Sequence, residues 1–230
     1  VPSQIPLPLE NAPSLTRADF IVSNGNRDAL AFIESWPAWA VGTAAIYGPA
    51  ASGKTHLAEI WIAKSGAQRV AAAALSGSAF VLLRRDQPVV IEDVDSSLPN
   101  PARDTAIVEL TDSATRVNPV LLTGRREPSS WDFAMPDLRS RFAAIVSFSL
   151  WEPGDELLRQ LGHKLFEDRQ ISVPEPILDR ILTISERSPA ALRDFVRRAD
   201  AKALAEGRPV NASLVRELLA QMPDCNDRIG

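Results

Sequence analysis

The sequence predicts an α/β protein in which a parallel sheet is flanked by helices and followed by a smaller, all-helical domain. Three observations predict it. Short apolar runs alternate with helix-period stretches as far as residue 150, and that alternation implies parallel strands covered on both faces. One of the strand-to-helix junctions is the glycine loop "GPAASGKT". From "WEPGDE" onward the strand pattern stops and only helical periodicity continues.

Taken in order, the Pro-rich opening "VPSQIPLPLE" is biased toward an extended form, because proline fixes φ and donates no hydrogen bond. "NAPSLTRADFIVSNGN" reads as loop and "RDALAFIESW" as a helix ended by Pro37. "TAAIYGPAASGKTHLAEIWIAKSG" gives a strand at Ala44 to Tyr47, the loop, and a helix from Lys54 to Lys64 closed by Gly66. "QRVAAAAL", "QPVVIEDVD", "NPVLLTG" and "AAIVSFSL" are further strands, the alanines at 71–74 being expected within a tightly packed one, and "ARDTAIVELTDSATRV" is an amphipathic helix. Four helices are expected at 153–169, 175–186, 188–205 and 211–221, with prolines and Gly207 near their ends.

Composition narrows the function. Across 230 residues, 45% are apolar and 23% charged, and no apolar run approaches the ~20 residues of a membrane helix, so a soluble protein is expected. The net charge is −4, and residues 151–230 carry 12 basic and 14 acidic side chains against 13 and 15 before them. Neither half has the basic surplus that backbone contacts to nucleic acid require, so direct DNA binding is not favoured. A single cysteine, Cys225, and no secretory leader pattern point to a cytoplasmic location. His56 and His163 are too far apart in sequence to suggest a ligand pair. The five tryptophans are expected to pack the domain, with Trp36 and Trp39, which flank a turn, as candidate interface residues.

The chemistry concentrates on two stretches. Gly48, Pro49, Ala50, Ala51, Ser52, Gly53, Lys54 and Thr55 fit G-x-x-x-x-G-K-[ST]: glycines let the backbone N–H groups curl around phosphate oxygens, Lys54 supplies a cation and Thr55 a Mg²⁺ ligand. His56 completes this cofactor-binding stretch, for which ADP or ATP with Mg²⁺ is the expected ligand. "VVIEDVD" supplies the carboxylates that such a loop needs to hold the metal and orient water. Glu92 is the candidate metal and cofactor residue and Asp93 the candidate catalytic one. Aspartate usually comes first in this pattern, so the longer Glu92 predicts slow hydrolysis.

With these motifs, "LLTGRREPSSW", "PDLRSRF" and "SPAALRDF", the sequence resembles the AAA+ family, in its DnaA-like branch, from about residue 19 to 221. The resemblance implies an AAA+ P-loop domain at 16–151, a C-terminal α-helical lid domain at 152–230 and an extended tail at 1–15. It places a nucleotide-sensing position at Thr123 to Arg125, with Arg125 where an acid is common. Arg141 corresponds to the arginine finger that acts on a neighbouring subunit's nucleotide, Arg193 to the lid arginine that reaches the phosphates, and "DFIVSNGN" to part of the adenine pocket.

The sequence stops at "PDCNDRIG", without the basic helix-turn-helix that DnaA carries after its lid. Its opening is similar to the tail peptide by which some DnaA-like proteins dock on the DNA polymerase III β sliding clamp, with Gln4, Ile5, Leu7 and Leu9 as the binding residues. The resemblance therefore implies a negative regulator of replication initiation that, on the clamp, stimulates hydrolysis of DnaA-bound ATP. Its own nucleotide would shape the active surface and its intrinsic ATPase would be weak. Self-association into a homo-oligomer is compatible with the family. Two alternatives stay open: a helicase-loader-like AAA+ ATPase, and a truncated DNA-binding initiator of the DnaA type.

Overall fold

The computed structural model describes residues 15–75, 86–150, 154–169, 171–184 and 189–221. Two compact units divide the chain, Leu15–Glu152 and a helical unit from Pro153 on. The first is built on a five-stranded parallel sheet in the order β2-β3-β4-β1-β5. Its strands are β1 (Thr43–Tyr47), β2 (Gln68–Ala71), β3 (Val89–Glu92), β4 (Val120–Gly124) and β5 (Val146–Ser149). The helices of this unit are α1 (Arg27–Glu34), α2 (Lys54–Ser65), α3 (Pro101–Ser113) and α4 (Asp137–Ala143).

Successive strand residues point to opposite faces, and the two faces build two cores. Ala44, Ile46, Val90 and Leu121 face one way and pack with Leu30 and Ile33 of α1 and Leu57, Ala58 and Trp61 of α2. Ala45, Val89, Ile91, Val120 and Leu122 face the other way, toward Ile107 and Leu110 of α3 and Leu138 and Phe142 of α4. A sheet covered on both sides needs strands apolar at every position, and β4 is buried along its whole length. The order also makes β1 and β4 neighbours, with Ile46 opposite Thr123 and Tyr47 opposite Gly124. The ends of β3, β4 and β1 therefore lie side by side, and every loop leaving them emerges at one edge of the sheet, where ligands of open parallel sheets bind.

Local chemistry fixes the helix ends. Gly66 closes α2 in the left-handed conformation at φ 71°, its N–H bonded to Ile62 O at 2.9 Å. Asn100 caps α3 by accepting from Arg103 N at 3.1 Å, with Pro101 at the first helical position.

Two expectations are corrected. Of the alanines at 71–74, only Ala71 belongs to β2, and Ala72–Ala74 form a 3-10 turn. The partner strand β3 offers only four residues to pair with, and alanine has little preference for a strand once the ladder ends. Trp39 is not an interface residue. It is buried, stacked on Trp61 at 4.8 Å and on Phe32 at 4.3 Å, and its indole N–H donates to Phe32 O at 2.8 Å. Trp36 is half-buried, edge-on to both Trp39 and Trp61. The reading that tryptophans pack the domain holds for this cluster and for Trp131, which is fully buried.

The helical unit contains α5 (Asp155–Glu167), α6 (Glu175–Ile184), α7 (Pro189–Glu206) and α8 (Ala212–Gln221). Leu158, Phe166, Leu178, Ile181, Leu192, Phe195, Val215 and Leu219 meet in its own core. Gly162 lets α5 and α6 approach closely, since a Cβ there would lie 2.5 Å from Leu178 Cδ1. No described helix is long and apolar enough to cross a membrane.

Candidate functional site

The loop between β1 and α2 takes the conformation its glycines permit. Gly48 donates to Gly124 O at 3.1 Å, and a Cβ on it would lie 2.3 Å from Leu150 O. Gly53 adopts φ 103° as the N-cap of α2, and Ala51 follows the same left-handed curl at φ 61°. Such a turn aims consecutive backbone N–H groups and the helix terminus at one point, which suits an anion. Lys54 is 7% exposed, and its Nζ donates to the carbonyls of Gly48 and Pro49 at 2.8 and 2.7 Å. Burial holds its pKa below the usual lysine value; Asp93 and Asp95 oppose that shift and Arg125 adds to it. A buried cation and the buried, unpartnered Ser52 Oγ are two groups that a polyphosphate would satisfy.

The segment before α1 folds against this loop. Phe20 is buried, and a Cβ on Gly53 would lie 3.4 Å from its ring. The ring of His56 stands edge-on to Phe20 at 5.0 Å, and its Nε2–H donates to Thr16 O at 2.7 Å. Asn26, buried at the start of α1, accepts from Ser23 N at 2.8 Å and donates to Ile21 O at 3.0 Å, fixing "DFIVSNGN" as an ordered loop. The resemblance covers Asn26 only as the last residue of "DFIVSNGN"; its place one residue before a helix is the signal for this bracing role.

The strand ends are stitched together. Thr123, 2% exposed, accepts from Asp93 N at 3.1 Å through Oγ1, which holds Asp93 in the left-handed region at φ 54°. Asp95, buried, accepts from Arg125 N at 3.0 and 2.9 Å and from Arg126 N at 2.9 Å. Nothing in the sequence reading gave Asp95 a role, although it closes the "EDVD" run. Asp93 and Arg125 themselves stay exposed at this edge.

Glu92 is placed differently from a free carboxylate. Its Oε2 pairs with Arg69 Nε of β2 at 3.2 Å, Arg69 also pairs with Glu59 of α2, and Glu92 Oε1 is buried without a partner. Thr55 is exposed at the start of α2. A donor set in which the carboxylate is already neutralised by a guanidinium does not fit the Mg²⁺ that the sequence reading put on Thr55 and Glu92.

Arg141 lies on α4, its side chain 42% exposed, donating to Asp112 Oδ2 of α3 at 3.2 Å. The loop leading into α4 is held by Asp104, fully buried on α3, which accepts from Ala134 N at 2.7 Å and Met135 N at 3.1 Å. Arg193 belongs to the helical unit. It is half-buried on α7, and burial lowers its guanidinium pKa, whereas Arg197 and Arg198 are exposed and pair with Asp194. It is therefore not part of their solvated face. Gln4, Ile5, Leu7 and Leu9 lie outside the described residues.

No protein-family model and no curated protein matches the sequence. Solved structures do match the fold. Domain III of the Thermotoga maritima replication initiation protein DnaA superposes with a TM-score of 0.69 at 19% identity, over 92% of this chain and 98% of that one. DnaA from Aquifex aeolicus, bound to AMPPCP, gives 0.68 at 17% identity over 83% of this chain and 66% of that longer one. The FIGL-1 AAA domain, in complex with ADP, gives 0.67 at 18% identity over 93% and 86%. The parallel sheet with its flanking helices and C-terminal helical unit is thus the fold of AAA+ domains, and this chain shares it with DnaA.

Proposed function

We propose that the chain is a nucleotide-binding regulator of replication initiation of the Hda type, a regulatory inactivator of DnaA. Bound to the DNA polymerase sliding clamp, it stimulates hydrolysis of DnaA-bound ATP. The observation that carries this reading is the position of Arg141. Arg141 stands exposed on α4, paired with Asp112 of α3, at the motif position where DnaA-like proteins carry a finger for a neighbour's nucleotide. An arginine supplied in trans neutralises charge developing on the transferred phosphoryl group. Its pairing with Asp112 is an exposed ion pair worth about 0–1 kcal/mol, small against the energy of docking on a partner.

ADP or ATP occupies the P-loop of this chain, with Gly48 to His56 around the phosphates and Phe20 at the base side. Intrinsic turnover is weak, because Arg125 replaces an acid and Glu92 is engaged by Arg69. The tail from Gln4 to Leu9 supplies the clamp contact. A helicase-loader-like ATPase would instead turn over ATP without partners, and a DNA-binding initiator would bind duplex in a salt-sensitive way.

Three outcomes follow for calorimetry and hydrolysis assays. Lys54→Ala removes a charged phosphate donor worth roughly 1.5–3 kcal/mol and weakens ADP binding on the order of 10- to 100-fold; unchanged affinity would refute the site. Arg141→Ala keeps ADP and clamp binding yet lowers stimulation of DnaA ATP hydrolysis by on the order of 10³. Normal stimulation by that variant rules Arg141 out as the finger. Gln4→Ala with Leu7→Ala abolishes clamp binding, since each buried leucine contributes about 1.5–3 kcal/mol, and leaves nucleotide affinity and melting temperature in place. Clamp binding that survives the double substitution removes the tail from the mechanism.

A further inference from the structure

Arg69, Glu92 and Glu59 join three elements of the nucleotide unit. Arg69 sits opposite Val90 in the β2–β3 ladder, and Ala71 opposite Glu92. Residues two apart on a strand share a face, so Arg69 and Glu92 are diagonal neighbours on the face that carries Val90, which is the face packed on α2. Arg69 Nε meets Glu92 Oε2 at 3.2 Å, and its other arm reaches Glu59 of α2. The additional methylene of glutamate, compared with aspartate, is what lets the carboxylate extend along the strand to this guanidinium.

Resting on the reading of Gly48 to Thr55 as a nucleotide site, we infer that Arg69 withdraws Glu92 from cation binding, so that this chain holds its nucleotide without a divalent metal. The Glu92 side chain is 15% exposed and that of Arg69 37%, so water screens the carboxylate less than its partner. A guanidinium is charged at every accessible pH. Glu92 Oε1 is buried without a protein partner, and it is the one oxygen of this carboxylate left for a cation; a divalent ion there would share that carboxylate with the positive charge of Arg69, and like charges repel. Phosphate charge is met instead by protein groups. Lys54, the curled N–H groups, the start of α2 and Arg125, which acts on Lys54 electrostatically, supply positive potential without Mg²⁺. A nucleotide held this way keeps its place while the cation needed for hydrolysis is excluded, which ties the Arg69 bridge to the low intrinsic turnover.

The test is calorimetric titration of ADP into the full chain in Mg²⁺ and in EDTA, for the natural sequence and for Arg69→Gln. The natural chain is expected to bind ADP at least as tightly in EDTA as in Mg²⁺, and a loss on chelation greater than about threefold overturns the proposal. Freed of its guanidinium, Glu92 in Arg69→Gln admits the cation, and ADP affinity there becomes about tenfold higher in Mg²⁺ than in EDTA. A folded Arg69→Gln protein with no such gain also overturns it. Should that variant fail to fold, electron paramagnetic resonance of Mn²⁺ added to the ADP-loaded natural chain decides the matter. Only the Mn²⁺–ADP signal of free solution is expected, and a protein-immobilised Mn²⁺ signal refutes the inference. A chain that binds ADP in neither buffer refutes the nucleotide site itself, which separates that failure from a metal requirement.

Discussion

The carboxylate of Asp95 is the contact on which the candidate site depends. It accepts from two consecutive backbone amides, Arg125 and Arg126, just past the end of β4, and so anchors the loop leaving β4 to the loop leaving β3. Thr123 adds the bond to Asp93. Gly124, between these partners, accepts from Gly48 and so ties the phosphate loop to the same seam. Hydrogen bonds to an ionised acceptor contribute about 1.5–3 kcal/mol, and a carboxylate accepting two or three amides loses little by burial. Beyond the last ladder pairs of β1, β3 and β4, this seam is what cross-links the loops that leave them.

The seam also organises charge. Asp93 and Arg125 are held exposed at one sheet edge with Lys54 behind them, so that one lysine feels two acids and one arginine at once. Glu92, a residue before the seam, turns along the α2 face to Arg69. Adjacent acids in one run thus have separate tasks: one bridges strands to a helix, one faces the site and one braces backbone. Side-chain alternation along the strand and the left-handed turn at Asp93 separate them.

The sheet, the phosphate loop and the four C-terminal helices were legible in the sequence because each depends on local signals. Strict apolar runs between turn residues gave the strands, the glycine spacing gave the loop, and 3.6-residue periodicity gave α5 to α8. The alanines at 71–74 misled because alanine carries no signal for where a ladder ends, and β2 stops where β3 does. Trp39 looks like an interface candidate because its neighbours in sequence are turn residues, whereas its partners, Phe32 and Trp61, come from α1 and α2. Asp95, Asp104 and Arg69 were illegible for the same reason: each acts on groups about 30 or 23 positions away, and pairing across a sheet or between loops leaves no periodic trace.

Amide hydrogen exchange of the nucleotide-free chain, resolved at Arg125 and Arg126, measures the seam directly. If Asp95 braces the site, both amides exchange as slowly as those of β4, although their side chains lie in solvent and the residues belong to a loop. Exchange at Arg125 and Arg126 as fast as at a freely exposed loop amide would mean that the strand ends are not joined, and the account of how this chain holds its phosphate loop would be contradicted.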